Sequence, residues 1–277
     1  MNRLTSYGFI FTLIYLAILE GDAGDHVMLI QGFTFSLIVA YLAFFLTWLT
    51  LDATLPVIIV GTAILGFGGW ILAIAVVVFF ITGSLFSRLN KDFDTQELQQ
   101  DKHLAETRRD GLQIWANGFW AATFCILWFL TSIDLFLGAA FGVIATATAD
   151  TWATETGMRK PGKTISLQTF KSVNPGTDGG VSLKGTFFAL LGALLIGFFA
   201  SQGLSRDVVW TFAIVSAAGF LGCLIDSYIG AAFQRDTDSD QPENLWQSMD
   251  RDKQNSFVNW ISTGSGGIIT LILLFII

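Results

Sequence analysis

Apolar stretches long enough to cross a lipid bilayer follow one another along almost the entire chain, with short polar segments between them. A hydrocarbon core about 30 Å thick takes roughly 20 residues of helix. No water inside that core can satisfy a backbone N–H or C=O, so a crossing segment must bond to itself as a helix. Spans are expected at 4–19, 28–49, 53–66, 68–87, 111–130, 134–152, 185–201, 207–230 and 257–277. The fold class is therefore all-α, a polytopic membrane helix bundle of about nine spans within a range of eight to ten, forming one integral membrane domain over residues 1–277. The segment 53–66 is short and contains Pro56, so it reads either as a tilted crossing or as a re-entrant, broken helix. Gly66, Gly68 and Gly69 then mark a tight turn into the next span. The run from Leu4 to Leu19 is read as the first span, because Glu20-Gly21-Asp22 is a poor signal-peptide cleavage site.

Charge is scarce and unevenly placed. Only 13% of residues are charged, against about 25% in an ordinary soluble domain. Apart from Arg3 and Arg206, the basic residues fall between Arg88 and Arg109, Arg159 and Lys184, or Arg235 and Lys253. With nine spans, Arg3 and the loops 88–110, 155–184 and 233–256 share one side, which the positive-inside rule makes cytoplasmic, and Ile277 lies opposite. The net charge of −7 argues against a nucleic-acid partner, so membrane lipids are the expected surroundings. Cys125 and Cys223 sit in apolar runs and read as small buried hydrophobes. His26 and His103 have no metal-ligand spacing, which leaves carboxylates, amides and hydroxyls to carry chemistry.

Ionisable groups in or at the end of a membrane helix are costly and call for a functional explanation. One such place is Thr146 to Glu155, where an apolar helix changes into hydroxyls and carboxylates. Asp150 and Thr154 share a face, Thr151 adjoins them, and Asp150 with Glu155 or Asp226 suits a magnesium ion that keeps room for phosphate oxygens. A second place is Asn174 to Thr186, whose Gly176, Thr177, Asp178, Gly179, Gly180, Ser182 and Lys184 combine a close-approach turn, hydroxyls and a charge ahead of a span. Such a turn makes an anion-binding concavity. The third is Asp226-Ser227, near the end of an apolar segment. Arg108, Arg109 and Asn117 before the fifth span, and Asn255, Asn259 and Ser262 in the last, are expected to join the same face; arginines suit phosphate oxygens. Gly138, Gly142, Ala145 and Ala149 form a small-residue stripe read as helix packing. The acidic segment from Asp236 to Glu243 reads as a solvated loop.

Gly157 to Thr164 matches the P-loop pattern letter for letter, but a membrane span precedes it where a P-loop needs a strand, and no helix is expected after it. Lys163 is retained as a point charge for phosphate.

Five ordered blocks together carry a family resemblance: Gly66 to Trp70, Arg109-Asp110-Gly111 with Asn117-Gly118, Ala149 to Glu155, Pro175 to Gly180, and Asp226-Ser227. The chain resembles the domain-of-unknown-function 92 integral membrane family, which includes plant phytyl-phosphate kinase and animal transmembrane protein 19. Relatives commonly carry Asn where this chain has Asp178, which suggests metal or ribose contact there in place of phosphate. The resemblance implies phosphoryl transfer from a nucleoside triphosphate, CTP or ATP, to an isoprenoid monophosphate lipid such as phytyl phosphate. It places Asp150, Glu155 and Asp226 at a magnesium ion, with Lys184 among the reacting groups. Arg109, Asn117, Thr151, Thr154, Lys163, Gly176 to Gly180, Ser182, Ser227 and Asn259 are then expected around substrate and phosphate. Carriage of a lipid-linked phosphate and cytidylyl transfer to one use similar groups and stay open at this point.

Overall fold

The computed structural model describes residues 2–97, 108–157, 162–233 and 250–277. It contains eight helices: α1 (Asn2–Leu19), α2 (Ala23–Phe45), α3 (Leu51–Glu97), α4 (Gly111–Thr131), α5 (Asp134–Gly157), α6 (Leu183–Gly203), α7 (Val208–Phe233) and α8 (Arg251–Ile276). Seven of them are long and apolar enough to cross a membrane, and α1 is a shorter apolar helix. The chain is a multi-pass integral membrane protein.

Helix α3 is two helices joined at a reversal. Gly69 has φ +81° and ψ 178°, outside any helical conformation and open to glycine at no steric cost. The ring of Trp48, just before α3, lies 5.9 Å from that of Phe80. A continuous helix would separate those positions by about 45 Å at 1.5 Å per residue. The arms 51–68 and 70–97 are therefore antiparallel and correspond to two of the expected spans. Pro56 is accommodated in the first turns of the first arm.

Counted this way the chain passes through the bundle nine times, and its connections sort into two layers. In one layer lie the Gly69 reversal, the α4–α5 turn, the α6–α7 turn and the C-terminal end of α8, joined where Gly138 abuts Leu274 and where Arg206 Nη1 donates to Leu274 O at 2.7 Å. In the other lie the start of α3, the start of α4, the ends of α5 and α7, the start of α8 and all three strands.

Helix α5 is the axis of the bundle, buried almost without interruption from Leu137 to Ala149. Its small residues allow this. A side chain at Gly142 would meet Gly266 O of α8 at 2.9 Å, one at Gly192 of α6 would meet Thr148 O at 3.1 Å, and one at Gly219 of α7 would meet the Ala145 backbone at 2.9 Å. Close backbone approach of this kind drives helix association where hydrophobicity cannot.

Some boundaries differ from those expected. Helix α2 begins at Ala23 because Asp22 and Asp25 cap one another's backbone N–H at 2.9 Å each, a reciprocal capping box. The N–H of Asp25, followed by that of Gly24, holds the Asp22 carboxyl below its ordinary pKa of 3.8. Helix α5 runs on to Gly157, and α8 starts at Arg251. Between α5 and α6 the polar loop adds an antiparallel sheet, order β2-β1-β3, made of β1 (Thr164–Ser166), β2 (Ser172–Val173) and β3 (Gly180–Ser182).

Candidate functional site

Helices α5 and α7 run parallel, and their glycine contacts set a register. Gly222 faces Thr146, where a Cβ would come within 2.6 Å of the threonine Cγ2. One turn further along both helices, Asp226 meets Asp150, and the two carboxyl groups lie within hydrogen-bonding reach. Helix α8 supplies donors from two successive turns of one side. Ser262 Oγ donates to Asp226 Oδ2 at 2.7 Å. Asn259, with its amide nitrogen turned toward the acceptors, donates to the same oxygen at 3.1 Å and to Asn255 O at 3.2 Å. Two carboxylates in contact, largely screened from water, repel unless a proton or a cation lies between them.

Glu155, expected beside the same cation, is also engaged by other groups. Five residues on from Asp150 it is rotated by about 140° around the helix, at roughly 100° per residue. It accepts a hydrogen bond from Ser87 Oγ and faces the charge of Arg109. Among the described residues no group of three or more His, Cys, Asp or Glu side chains converges as a metal cage. Glu155 stands between the two groups: its charge reaches Arg109 on one side and Asp150 on the other.

Arg109 is positioned by its backbone, which pairs with the turn before α3: its N–H donates to Trp48 O at 2.9 Å, and Thr50 N–H donates to its carbonyl at 3.1 Å. Its guanidinium lies 5.1 Å from the Phe79 ring centroid and 5.6 Å from that of Phe80, a cation–π arrangement. It also fills the space beside Gly83, where a side chain would strike the guanidinium and come within 3.0 Å of Thr151 Cγ2. Burial pulls its pKa below the ordinary arginine value, and the Glu155 carboxylate acts in the opposite direction. Asp52 accepts from Gly111 N at 2.9 Å and Thr50 Oγ1 at 2.6 Å, while Asp110 caps α4 through Gln113 N at 2.8 Å. These two acids are structural fasteners of the α3 and α4 starts.

The glycine turn docks on the same layer. Gly176 and Gly179 have φ of +84° and +71°. Gly179 is pressed against Ser227 O and Ala231 of α7, with no room for a Cβ. The turn is closed by Thr177 N to Asn174 O at 3.2 Å and Gly180 N to Thr177 O at 2.9 Å. Asp178 forms an ion pair with Arg251 at the start of α8, at 2.8 Å. Ser182 caps α6 by accepting from Gly185 N at 3.1 Å.

The remaining expected residues are more dispersed. Lys184 is half-buried, whereas Thr154, Lys163 and Arg108 are exposed. Asn117 Nδ2 donates to Gln113 O, one turn back in its own helix, at 3.0 Å. The P-loop letters run from the end of α5 into strand β1 at Thr164, the reverse of strand, loop and helix. Arg159, Lys160, Pro161, His103 and the segment from Asp236 to Glu243 lie outside the described residues. Sequence reasoning did not single out Ser87, Gly83 or Arg251. A glycine and a serine one turn apart in the apolar run ahead of Arg88 were the available signal for the first two.

The family model for "Integral membrane protein DUF92" matches residues 34–267. The chain belongs to the DUF92 family. The matched stretch runs from α2 into α8 and includes every site residue described above. An uncharacterised membrane protein of Methanocaldococcus jannaschii is 34% identical over 218 residues, covering 78% of this chain and 81% of the relative. Protein PGR of Arabidopsis thaliana is 27% identical over 182 residues, 57% of this chain and 62% of its own length. An uncharacterised membrane protein of Synechocystis is 26% identical over 222 residues, 77% of this chain and 78% of the relative. No solved structure matches this DUF92 chain.

Proposed function

We propose that this DUF92 protein is a membrane phosphotransferase that transfers a phosphoryl group from a nucleoside triphosphate to an isoprenoid monophosphate. The observation that carries the reading is the Asp150–Asp226 contact, built by two parallel membrane helices and held by donors from a third. Apposed acids in a bilayer-embedded bundle are costly, and no packing requirement of α5 or α7 demands them. Their donor set fits magnesium: two carboxylate ligands, with the other positions left to water and phosphate oxygens. Bound there, the ion would neutralise charge developing on the transferred group.

The chain's own residues supply the rest. Ser262 and Asn259 both donate to Oδ2 of Asp226 and so hold its carboxyl group in place beside Asp150. Arg109, held by backbone pairing and two aromatic rings, offers a fixed positive charge for a monophosphate headgroup, and Glu155 orients it through charge. The docked glycine turn brings Lys184 to the same layer. In the reaction an oxygen of the prenyl monophosphate attacks the γ-phosphorus, the bond to the β-phosphate oxygen breaks, and a prenyl diphosphate and a nucleoside diphosphate leave. Positioning and charge suffice for such in-line transfer.

The test is product analysis. Purified full-length protein with magnesium is given phytyl or farnesyl monophosphate and each of CTP, ATP, GTP and UTP, and the lipid product is identified by mass. The proposal expects a prenyl diphosphate from at least one donor, and its loss in Asp150→Asn. A nucleotide–lipid adduct would instead mean cytidylyl-type transfer. No product with any donor, together with movement of the lipid phosphate across vesicles, would mean a carrier.

A further inference from the structure

An apolar cleft opens beside Arg109, and neither Asp150 nor Asp226 lines it. It is walled by α2, both arms of α3 and α4, with Ile144 of α5 behind. Arg109, Gln113 and Asn117 line it from the α4 side and Ser36 of α2 lies beside Gly61, while the remainder is dominated by residues such as Val57, Val60, Ala73, Val76 and Phe80. Along the α3 arms it runs from Val57 to Leu65 and from Phe80 back to Ala73, about 11 to 12 Å at the helical rise. This depth leads away from the polar layer toward the Gly69 reversal.

The charge arrangement names the occupant. A guanidinium backed by Phe79 and Phe80 lies at one end of a wall of valines and isoleucines. Burying a cation beside such a wall is costly unless an anion meets it, and the Glu155 carboxylate acts on it from α5. A ligand with one negative headgroup and one apolar chain satisfies both ends together. A free nucleotide satisfies the guanidinium alone, and a neutral hydrocarbon the wall alone.

We infer that the cleft between α2, α3 and α4 is the chain-binding half of the site: it takes the apolar chain of a single-chain anionic amphiphile whose headgroup lies at Arg109. This rests on the phosphotransferase reading for the identity of the headgroup, a monophosphate, but it makes a separate claim about place. The α3 hairpin then has a function beyond topology. Its reversal at Gly69 lets one element wall both sides of the chain while Gly83 leaves room for the guanidinium.

The experiment maps a photoreactive prenyl monophosphate, carrying a diazirine on its chain, onto the full-length protein in detergent with no nucleotide present. Labelled peptides are expected in the cleft walls, at 57–65, 73–80 and 113–118. Farnesyl monophosphate should compete at least 10-fold better than farnesol, which lacks the charge, and better than two-chain phosphatidic acid. Val57→Phe and Val76→Phe, which fill the cleft from opposite arms, should each lower labelling at least 10-fold while thermal unfolding stays cooperative. Should a variant fail that folding check, the wild-type map decides. Labelling confined to the outer helix faces, equal competition by phosphatidic acid, or undiminished labelling in folded variants would overturn the inference. Cleft labelling without turnover would sink the kinase reading alone; turnover with labelling elsewhere would sink the cleft alone.

Discussion

Two glycines in one turn should respond very differently to the same substitution. At Gly176, φ is +84° and nothing lies within 4 Å of an added Cβ, so Gly176→Ala meets only backbone strain. That strain is roughly 1–2 kcal/mol. At Gly179, φ is +71° and the Cβ would overlap Ser227 O and Ala231 of α7. Gly179→Ala adds an overpacking cost of roughly 1–3 kcal/mol to the same strain, for a total of roughly 2–5 kcal/mol. A kilocalorie shifts the midpoint of a chain approaching this size by about 2–4 °C. Thermal unfolding in a mild detergent should therefore fall by a few degrees for Gly176→Ala and about twice as far or more for Gly179→Ala. Hydrogen exchange should localise the excess to 172–182 and the facing end of α7. Equal shifts for the two variants would refute the claim that Gly179 anchors the turn on α7.

Further predictions concern neighbouring contacts. Ser262→Ala should leave folding nearly intact and lower phosphoryl transfer about 10-fold, by roughly 1.4 kcal/mol of lost positioning; turnover assays with matched protein amounts check it, and unchanged turnover would count against Ser262 as a positioning group. Gly83→Leu should displace the guanidinium of Arg109 and weaken prenyl monophosphate binding at least 10-fold, measured as competition for the photoprobe. The Arg251–Asp178 pair is open to solvent on the arginine side, so Arg251→Ala should cost less than about 1 kcal/mol, read from the unfolding midpoint. Because the capping bonds depress the Asp22 pKa, its stabilising effect on α2 is present above the ordinary value of 3.8 and is lost as pH falls through the lower folded value. Amide exchange in the first turn of α2 should accelerate over that acidic window in wild type and not in Asp22→Asn.

The bundle was legible because its cause is simple. Apolar run length dictates helices in lipid, so nine passes could be read from residue types, including the reversal at the Gly66 to Gly69 cluster. The meeting of Asp150 and Asp226 was legible too, since both are acids set into apolar helices and the polar loops share one layer. The pairing of Glu155 with Arg109 and Ser87 was not legible, because their meeting with α5 depends on how the second arm of α3 packs against it. The strands between 164 and 182 were illegible because two or three residues carry no measurable period. Arg251 could not be paired with Asp178 without knowing that the glycine turn folds onto the ends of α7 and α8.

The central claim is that Asp150 and Asp226 act together as one cation site serving phosphoryl transfer. Manganese, which suits the same carboxylate and phosphate ligands as magnesium, makes this directly visible by electron paramagnetic resonance. Titrating the purified protein should reveal one saturable manganese site, displaced by excess magnesium and lost in both Asp150→Asn and Asp226→Asn while each variant remains folded. Manganese binding of wild-type strength in either variant would contradict the account.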